Sequence, residues 1–336
     1  MKNRSFGIIG VPSAAGAHSP GVEDAPEALR AAGIAAALRR HGATVDDSRG
    51  DLPLVPFAID RDNRYAQNVA AVAQVAGALA DEVEAMVGDG GYDDEGDVSP
   101  ADGSPGGVPG GGPDHVSGGD GRIPLVLGGD CTILLGVLAG LARREPSTAL
   151  VYLDAHPDLN TPRSVVQGAL DWMGMAHVLA QPDAVEELTT LGPRVPLLDW
   201  DDVTFFGIVD SELTAGERAL REAHPGRFVS SQEIAGRAAE AARAVVDELA
   251  GRHARLVVHF DVDVLDFVEF PIADNAYQRN QGLTLDDALA AVSVFAQSAA
   301  FAGLLVTEVN PDHAPNESLL VSFVERLAEA LTARMN

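Results

Sequence analysis

Near-continuous apolar runs, each about the length of a strand, recur along this chain and are separated by segments with helical patterning. FGIIGV (Phe6–Val11), PLVLG (Pro124–Gly128), ALVYL (Ala149–Leu153) and RLVVHF (Arg255–Phe260) lack the polar alternation of a half-solvated strand. Runs of that kind are buried on both faces, as in a parallel sheet covered by helices. The pattern reads strand 123–128, helix 132–143, strand 149–153, helix 169–181, strand 203–208, helix 214–223, helix 231–251, strand 255–260, helix 284–299, strand 301–308 and helix 316–334. Upstream, Ala25–Gly42 reads as one helix with Pro26 in its first turn, and Tyr65–Val87 as a second. This alternation predicts an α/β fold of three layers, α/β/α, with a mostly parallel central sheet.

A single domain is expected over 1–336, interrupted by an insertion at about 88–121. Gly88–Gly121 carries 13 of the chain's 35 glycines together with Asp, Ser and Pro, and offers almost nothing to bury. The strand that follows carries a chemical motif, so the segment interrupts a domain rather than dividing two. One cysteine excludes an internal disulfide framework, and the start MKNRSFGIIGVP does not read as a signal peptide, so a cytoplasmic location is expected. No run reaches the roughly 18 apolar residues of a membrane span. A net charge of −27 argues against nucleic acid as a partner and favours a small cation.

Three short motifs carry most of the chemistry: GGDC (Gly128–Cys131), DAHPD (Asp154–Asp158) and DVDVLD (Asp261–Asp266). Each follows a predicted inner strand, where ligand sites of open α/β sheets lie. In extended chain, alternate side chains share a face, so Asp154, His156 and Asp158 point one way, and Asp261 and Asp263 share another face. With Cys131 at the same rim, there are enough donors for two metal ions. Asp130 and Asp266 read as short acidic residues that tie loops beneath them. His177, in the apolar stripe MGMAHVLA, reads as a core residue. His259 lies two residues before Asp261 on its face and is either an outer support of the metals or packing; His313 has no assigned role.

These motifs, with FGIIGVP and GVEDAPEALRAAG (Gly21–Gly33) before them and GLT (Gly282–Thr284) and EVNP (Glu308–Pro311) after them, resemble the arginase, agmatinase and formiminoglutamase ureohydrolases. Members of that family hydrolyse guanidino groups with two manganese ions. The resemblance implies that Asp154 and Asp261 bridge the ions, that Cys131 and Asp158 complete one site, and that His156 and Asp263 complete the other. It implies catalytic positions at Asp158, Asp171 and Glu308, substrate contacts from Asn160, Gln167, Glu212 and Glu308, and a homo-oligomer, trimeric or hexameric. Bridging carboxylates hold two divalent cations about 3.5–4 Å apart and activate a water between them.

Several positions depart from the family pattern, two of them at its chemistry. Cys131 stands where a histidine ligand is usual, and thiolate suits Zn2+ or Fe2+ better than Mn2+. Asp171 stands where the proton-shuttling histidine is usual, and a carboxyl must be buried to act as a general acid near neutral pH. Val165 and Gln167 replace hydroxyl-bearing residues and Arg163 adds a charge, which weakens recognition of an amino-acid end. The expected activity is binuclear hydrolysis of a small guanidino cation to an amine and urea or a urea derivative. Alternatives are hydrolysis of an N-hydroxylated or N-substituted guanidine or other amidine, and a non-catalytic homologue that binds or regulates.

Overall fold

Eight strands form one sheet in which every neighbouring pair is parallel. They are β1 (Ser5–Gly10), β2 (Thr44–Asp46), β3 (Ile123–Leu127), β4 (Thr148–Leu153), β5 (Val203–Ile208), β6 (Phe228–Ser230), β7 (Arg255–Asp261) and β8 (Phe301–Thr307), in the spatial order β2-β1-β3-β8-β7-β4-β5-β6. The computed structural model describes residues 4–88, 121–144, 147–165, 167–249, 251–275 and 281–333. The expected insertion lies outside the described residues apart from its ends, Gly88 and Gly121.

The helices are α1 (Ala25–Ala31), α2 (Ile34–Arg40), α3 (Val69–Gly88), α4 (Leu134–Ala142), α5 (Gly174–Val178), α6 (Glu186–Thr189), α7 (Ala215–Ala223), α8 (Ser231–Ile234), α9 (Ala238–Leu249), α10 (Leu285–Gln297) and α11 (Glu317–Thr332). Strand residues alternate between two cores. Phe6, Ile8, Leu125, Val151, Val258 and Val306 pack with α1, α2, α8, α9, α10 and α11, whereas Ile9, Val126, Leu150, Tyr152, Val257 and Leu305 pack with α3, α4, α5 and α6. This is the expected three-layer arrangement. No described helix is long and apolar enough to cross a membrane.

Several boundaries differ from the sequence reading. The helix expected over Ala25–Gly42 breaks at Gly33, whose φ of 93° no β-carbon-bearing residue adopts readily. The helix expected over 231–251 divides into α8 and α9, and the one over 169–181 is a 3-10 turn (Leu170–Met173) followed by the short α5. β2 and β6 were not expected: they are three-residue edge strands, too short to show a run.

Register places the chemistry. Leu127, Val306, Phe260 and Leu153 form one row across β3, β8, β7 and β4, the four central strands. The next residues along the four chains are Gly128, Thr307, Asp261 and Asp154. Motifs far apart in sequence therefore emerge side by side at one rim of the sheet. Gly129 must be glycine here, because a β-carbon on it would stand 1.8 Å from the Ser13 carbonyl oxygen in the loop after β1.

Candidate metal centre

Backbone donors fix the acidic side chains at the rim. The His156 amide donates to Asp154 Oδ1 at 2.6 Å and the Asp263 amide to Asp261 Oδ1 at 2.7 Å. The Ala155 amide reaches Asp263 Oδ1 at 3.3 Å. His156 Nδ1 lies 2.9 Å from Asp263 Oδ2 and 3.8 Å from Asp154 Oδ1, while its Nε2 lies 2.8 Å from Glu212 Oε2. Donor atoms of Asp154, His156 and Asp263 all fall within 4.8 Å of one another. A second cluster of the same tightness joins Cys131, Asp154, His259 and Asp261. Asp154 belongs to both.

Asp158 is in neither cluster. It sits beside them at a left-handed φ of 47°, its Oδ2 accepting a hydrogen bond from the Tyr152 hydroxyl. The Tyr152 ring in turn stacks on His259 with centroids 4.2 Å apart. Neither Tyr152 nor His259 carries a clear sequence signal, since both sit in apolar strands; the one usable clue is that His259 shares a face with Asp261.

The donor set fits divalent cations. Among the described residues, Asp154 Oδ2 is buried without a hydrogen-bond partner and no Lys or Arg lines the cavity above it. Burial, and then the charges of Asp261, Asp263 and Asp158, push the Asp154 carboxyl well above the usual range. Burial followed by Asp263 does the same to Asp261, and burial followed by Asp171 to Asp158. Burial and the charge of Asp261 raise the Cys131 thiol. Positive charge placed among these groups would relieve both their desolvation and their mutual repulsion.

Above the clusters opens a cavity of about 240 Å³, with Glu308, Asp171, Trp172, Val165 and His18 among its walls. The Cys131 amide donates to both Asp171 Oδ1 (2.9 Å) and Glu308 Oε1 (3.1 Å), which holds the two carboxylates side by side. Glu308 has a φ of 60°, a strained position for a β-carbon-bearing residue of the kind that clusters at functional sites. Burial, then Asp171 and Asp261, raise its carboxyl well above the usual range.

His18, in the loop after β1, was not singled out by the sequence. Its Nδ1 is 3.6 Å from Asp171 Oδ2, its Nε2 is 3.4 Å from Asp274 Oδ2, and its ring lies against Trp172. Burial lowers its pKa, but the nearby carboxylates, Asp171 first and then Asp274 and Asp263, outweigh this and hold it above the ordinary histidine value.

The proposed distal contacts fall differently. Glu212 and Asn160 line the cavity; Gln167 is exposed and is not among the lining residues. The Asn160 side-chain amide donates to Glu217 Oε1 at 2.8 Å, and its carbonyl accepts from Thr214 and Ser164. Asp130 accepts from the amides of Gly16 and Thr132, and Asp266 from those of Val268 and Glu269, so both tie loops. His177 is fully buried, and burial depresses its pKa to about 4. His313 Nδ1 lies 2.7 Å from the Ala273 carbonyl oxygen.

A parallel α/β/α sheet bearing a carboxylate-rich, imidazole- and thiol-containing centre at its strand ends defines a metal-binding α/β protein of the hydrolase type. The arginase family model matches residues 4–332. Human arginase-1 is 28% identical over 322 residues, covering 92% of this chain and 86% of that protein. The arginase of Brevibacillus brevis is 31% identical over 222 residues, 65% of this chain and 61% of that one. The structure of arginase from Bacillus caldovelox superposes with a TM-score of 0.79 at 23% identity, over the full length of both chains. The chain belongs to the arginase family, whose members are hydrolases of carbon–nitrogen bonds in linear amidines.

Proposed function

We propose that the protein is a metal-dependent hydrolase of a small guanidino cation, releasing an amine and urea or a urea derivative. The observation that supports it most is the pair of donor clusters sharing Asp154 beneath an acidic cavity walled by Glu308. Cys131, Asp154, His156, Asp261 and Asp263 would hold two divalent ions, with Asp158 beside them. Bound there, the ions supply an activated water and a Lewis acid for the guanidino carbon.

The chain's own groups do the rest. Glu308, one oxygen anchored by the Cys131 amide, pairs with the guanidinium and sets its plane over the centre. A buried carboxylate short of positive charge is stabilised by such a cation. Asp171 and His18 together take the part of a proton carrier: His18 Nδ1 holds a proton opposite Asp171 Oδ2, and Asp171 passes it toward the departing nitrogen. Trp172 and Val165 supply apolar wall beside these groups.

A second reading concerns the substrate's distal half. Asn160 is committed to Glu217, Thr214 and Ser164, Gln167 lies outside the cavity, and among the described residues the walls include no Lys or Arg to receive a carboxylate. This favours an N-substituted guanidine or other amidine without an α-carboxylate over free arginine. The test is hydrolysis of arginine, its decarboxylated analogue agmatine and simple alkylguanidines under identical metal loading. A kcat/KM for arginine above that of the carboxylate-free compounds would contradict it. A non-catalytic binding role would be shown by full metal loading with no turnover of any compound.

A further inference from the structure

His259 Nε2 and Cys131 Sγ face one another across the sheet, 3.3 Å apart, both fully buried. Cys131 Sγ also lies 2.8 Å from Asp261 Oδ2, and His259 Nε2 lies 3.9 Å from Asp154 Oδ2, the buried oxygen without a hydrogen-bond partner among the described residues. His259 Nδ1 is likewise buried and unpartnered among the described residues, and Nε2 also meets the Thr307 hydroxyl at 3.2 Å. The ring plane is fixed by the stack on Tyr152, at an interplanar angle of 9°. Meanwhile Asp158 is drawn to the Tyr152 hydroxyl and stands outside the cluster.

We infer that His259 is a metal ligand: with Cys131, Asp154 and Asp261 it forms a sulfur–nitrogen–oxygen site that prefers Zn2+ or Fe2+, next to a harder site at His156 and Asp263. The inference rests on the metal-dependent reading above. Tetrahedral coordination at ordinary Zn–S, Zn–N and Zn–O lengths puts neighbouring donors about 3.3–3.6 Å apart. The observed 3.3 Å separation lies at the edge of that range and the 3.9 Å one a few tenths of an ångström beyond it, and the 2.8 Å contact is the one a thiol proton would leave on metal binding. A thiolate paired with an imidazole selects borderline and soft ions, whereas His156 with carboxylates suits Mn2+. The centre would then take two different metals. Asp158, in this arrangement, orients Tyr152 and through it the ring of His259.

X-ray absorption fine structure on the full-length protein loaded with one equivalent of Zn2+ tests this without a variant. One sulfur and one imidazole per zinc are expected. The sulfur places the ion at Cys131, so the imidazole must be His259. Sulfur without imidazole would overturn the inference, as would zinc bound without sulfur. In both cases a total of two ions bound at saturation would leave the metal-dependent reading standing, and failure to bind any ion would sink the two together. His259→Ala adds a second readout. A ligand's removal should weaken the tighter zinc by more than the roughly 10–100-fold typical of outer-shell partners, while leaving the second ion within a few-fold. A smaller loss would make His259 a support rather than a ligand.

Discussion

At the scale of single residues, groups that touch one another carry separate duties. If Glu308 orients the guanidinium, Glu308→Gln keeps the size but loses the charge, and kcat/KM should fall by about 100-fold or more with metal content unchanged. Steady-state kinetics beside metal analysis checks this. His18 carries its proton at a raised pKa because Asp171 and Asp274 outweigh the effect of burial. The alkaline limb of the kcat–pH profile, which reports the protonated ring, should decline as pH rises through that raised value, and His18→Gln should lower kcat by about 100-fold and remove that limb. An unchanged kcat–pH profile in the variant would dismiss His18 as a proton carrier. Asp154, His156, Asp261 and Asp263 stand out in sequence because ligand-type side chains recur two apart directly after apolar strands, although the chain is not extended there: β4 ends at Leu153 and Val262–Val264 is a 3-10 turn. His18 does not, because it arrives from a loop more than a hundred residues from Asp130, whose carboxylate holds the neighbouring Gly16 amide. Tyr152 reads as core, and its hydroxyl reveals a role only once Asp158 folds back on it.

Elements explain why those residues meet. Four central strands end in one row, and the loop after β3 can reach the loop after β1 only through Gly129. Gly129→Ala would drive a methyl group into the Ser13 carbonyl, with an expected cost of about 2 kcal/mol or more and a melting temperature several degrees lower. A variant melting with the wild type would show that this approach is looser than described. The long inner strands were legible because burial on both faces writes an apolar run. β2 and β6 were not, being three-residue edges, and helix breaks at Gly33 and Gly236 depend on positive φ angles that no periodicity encodes. Removal of 89–120 by a short linker should leave the melting temperature nearly unchanged, because a segment of that composition has little apolar surface to offset its ordering entropy.

For the whole molecule, buried acids make folding and metal binding two sides of one equilibrium. Asp154, Asp158, Asp261 and Glu308 all have carboxyls raised well above the usual range. The folded, metal-free chain therefore keeps protons that the unfolded chain has already lost. The stability these four groups contribute is fully present below the ordinary carboxylate pKa and is lost as pH rises through their raised values, so the metal-free protein should melt lower at about pH 8 than at about pH 5. Metal ions take the carboxylates deprotonated, and free metal at 100 times its Kd adds about 2.7 kcal/mol per site, so saturation should cancel or reverse that trend. Calorimetry at both pH values, with and without metal, reads the sign directly. The central claim is that this centre uses bound metal to cleave a guanidino carbon–nitrogen bond. Its most direct test is product analysis, for urea or a urea derivative and the matching amine, across a panel of guanidino compounds with metal-stripped protein reconstituted separately with manganese, zinc and iron. Turnover of at least one compound that appears with metal, and disappears in an Asp261→Asn variant unable to hold two ions, is the result predicted. Two ions bound per chain with no carbon–nitrogen cleavage of any compound would contradict it.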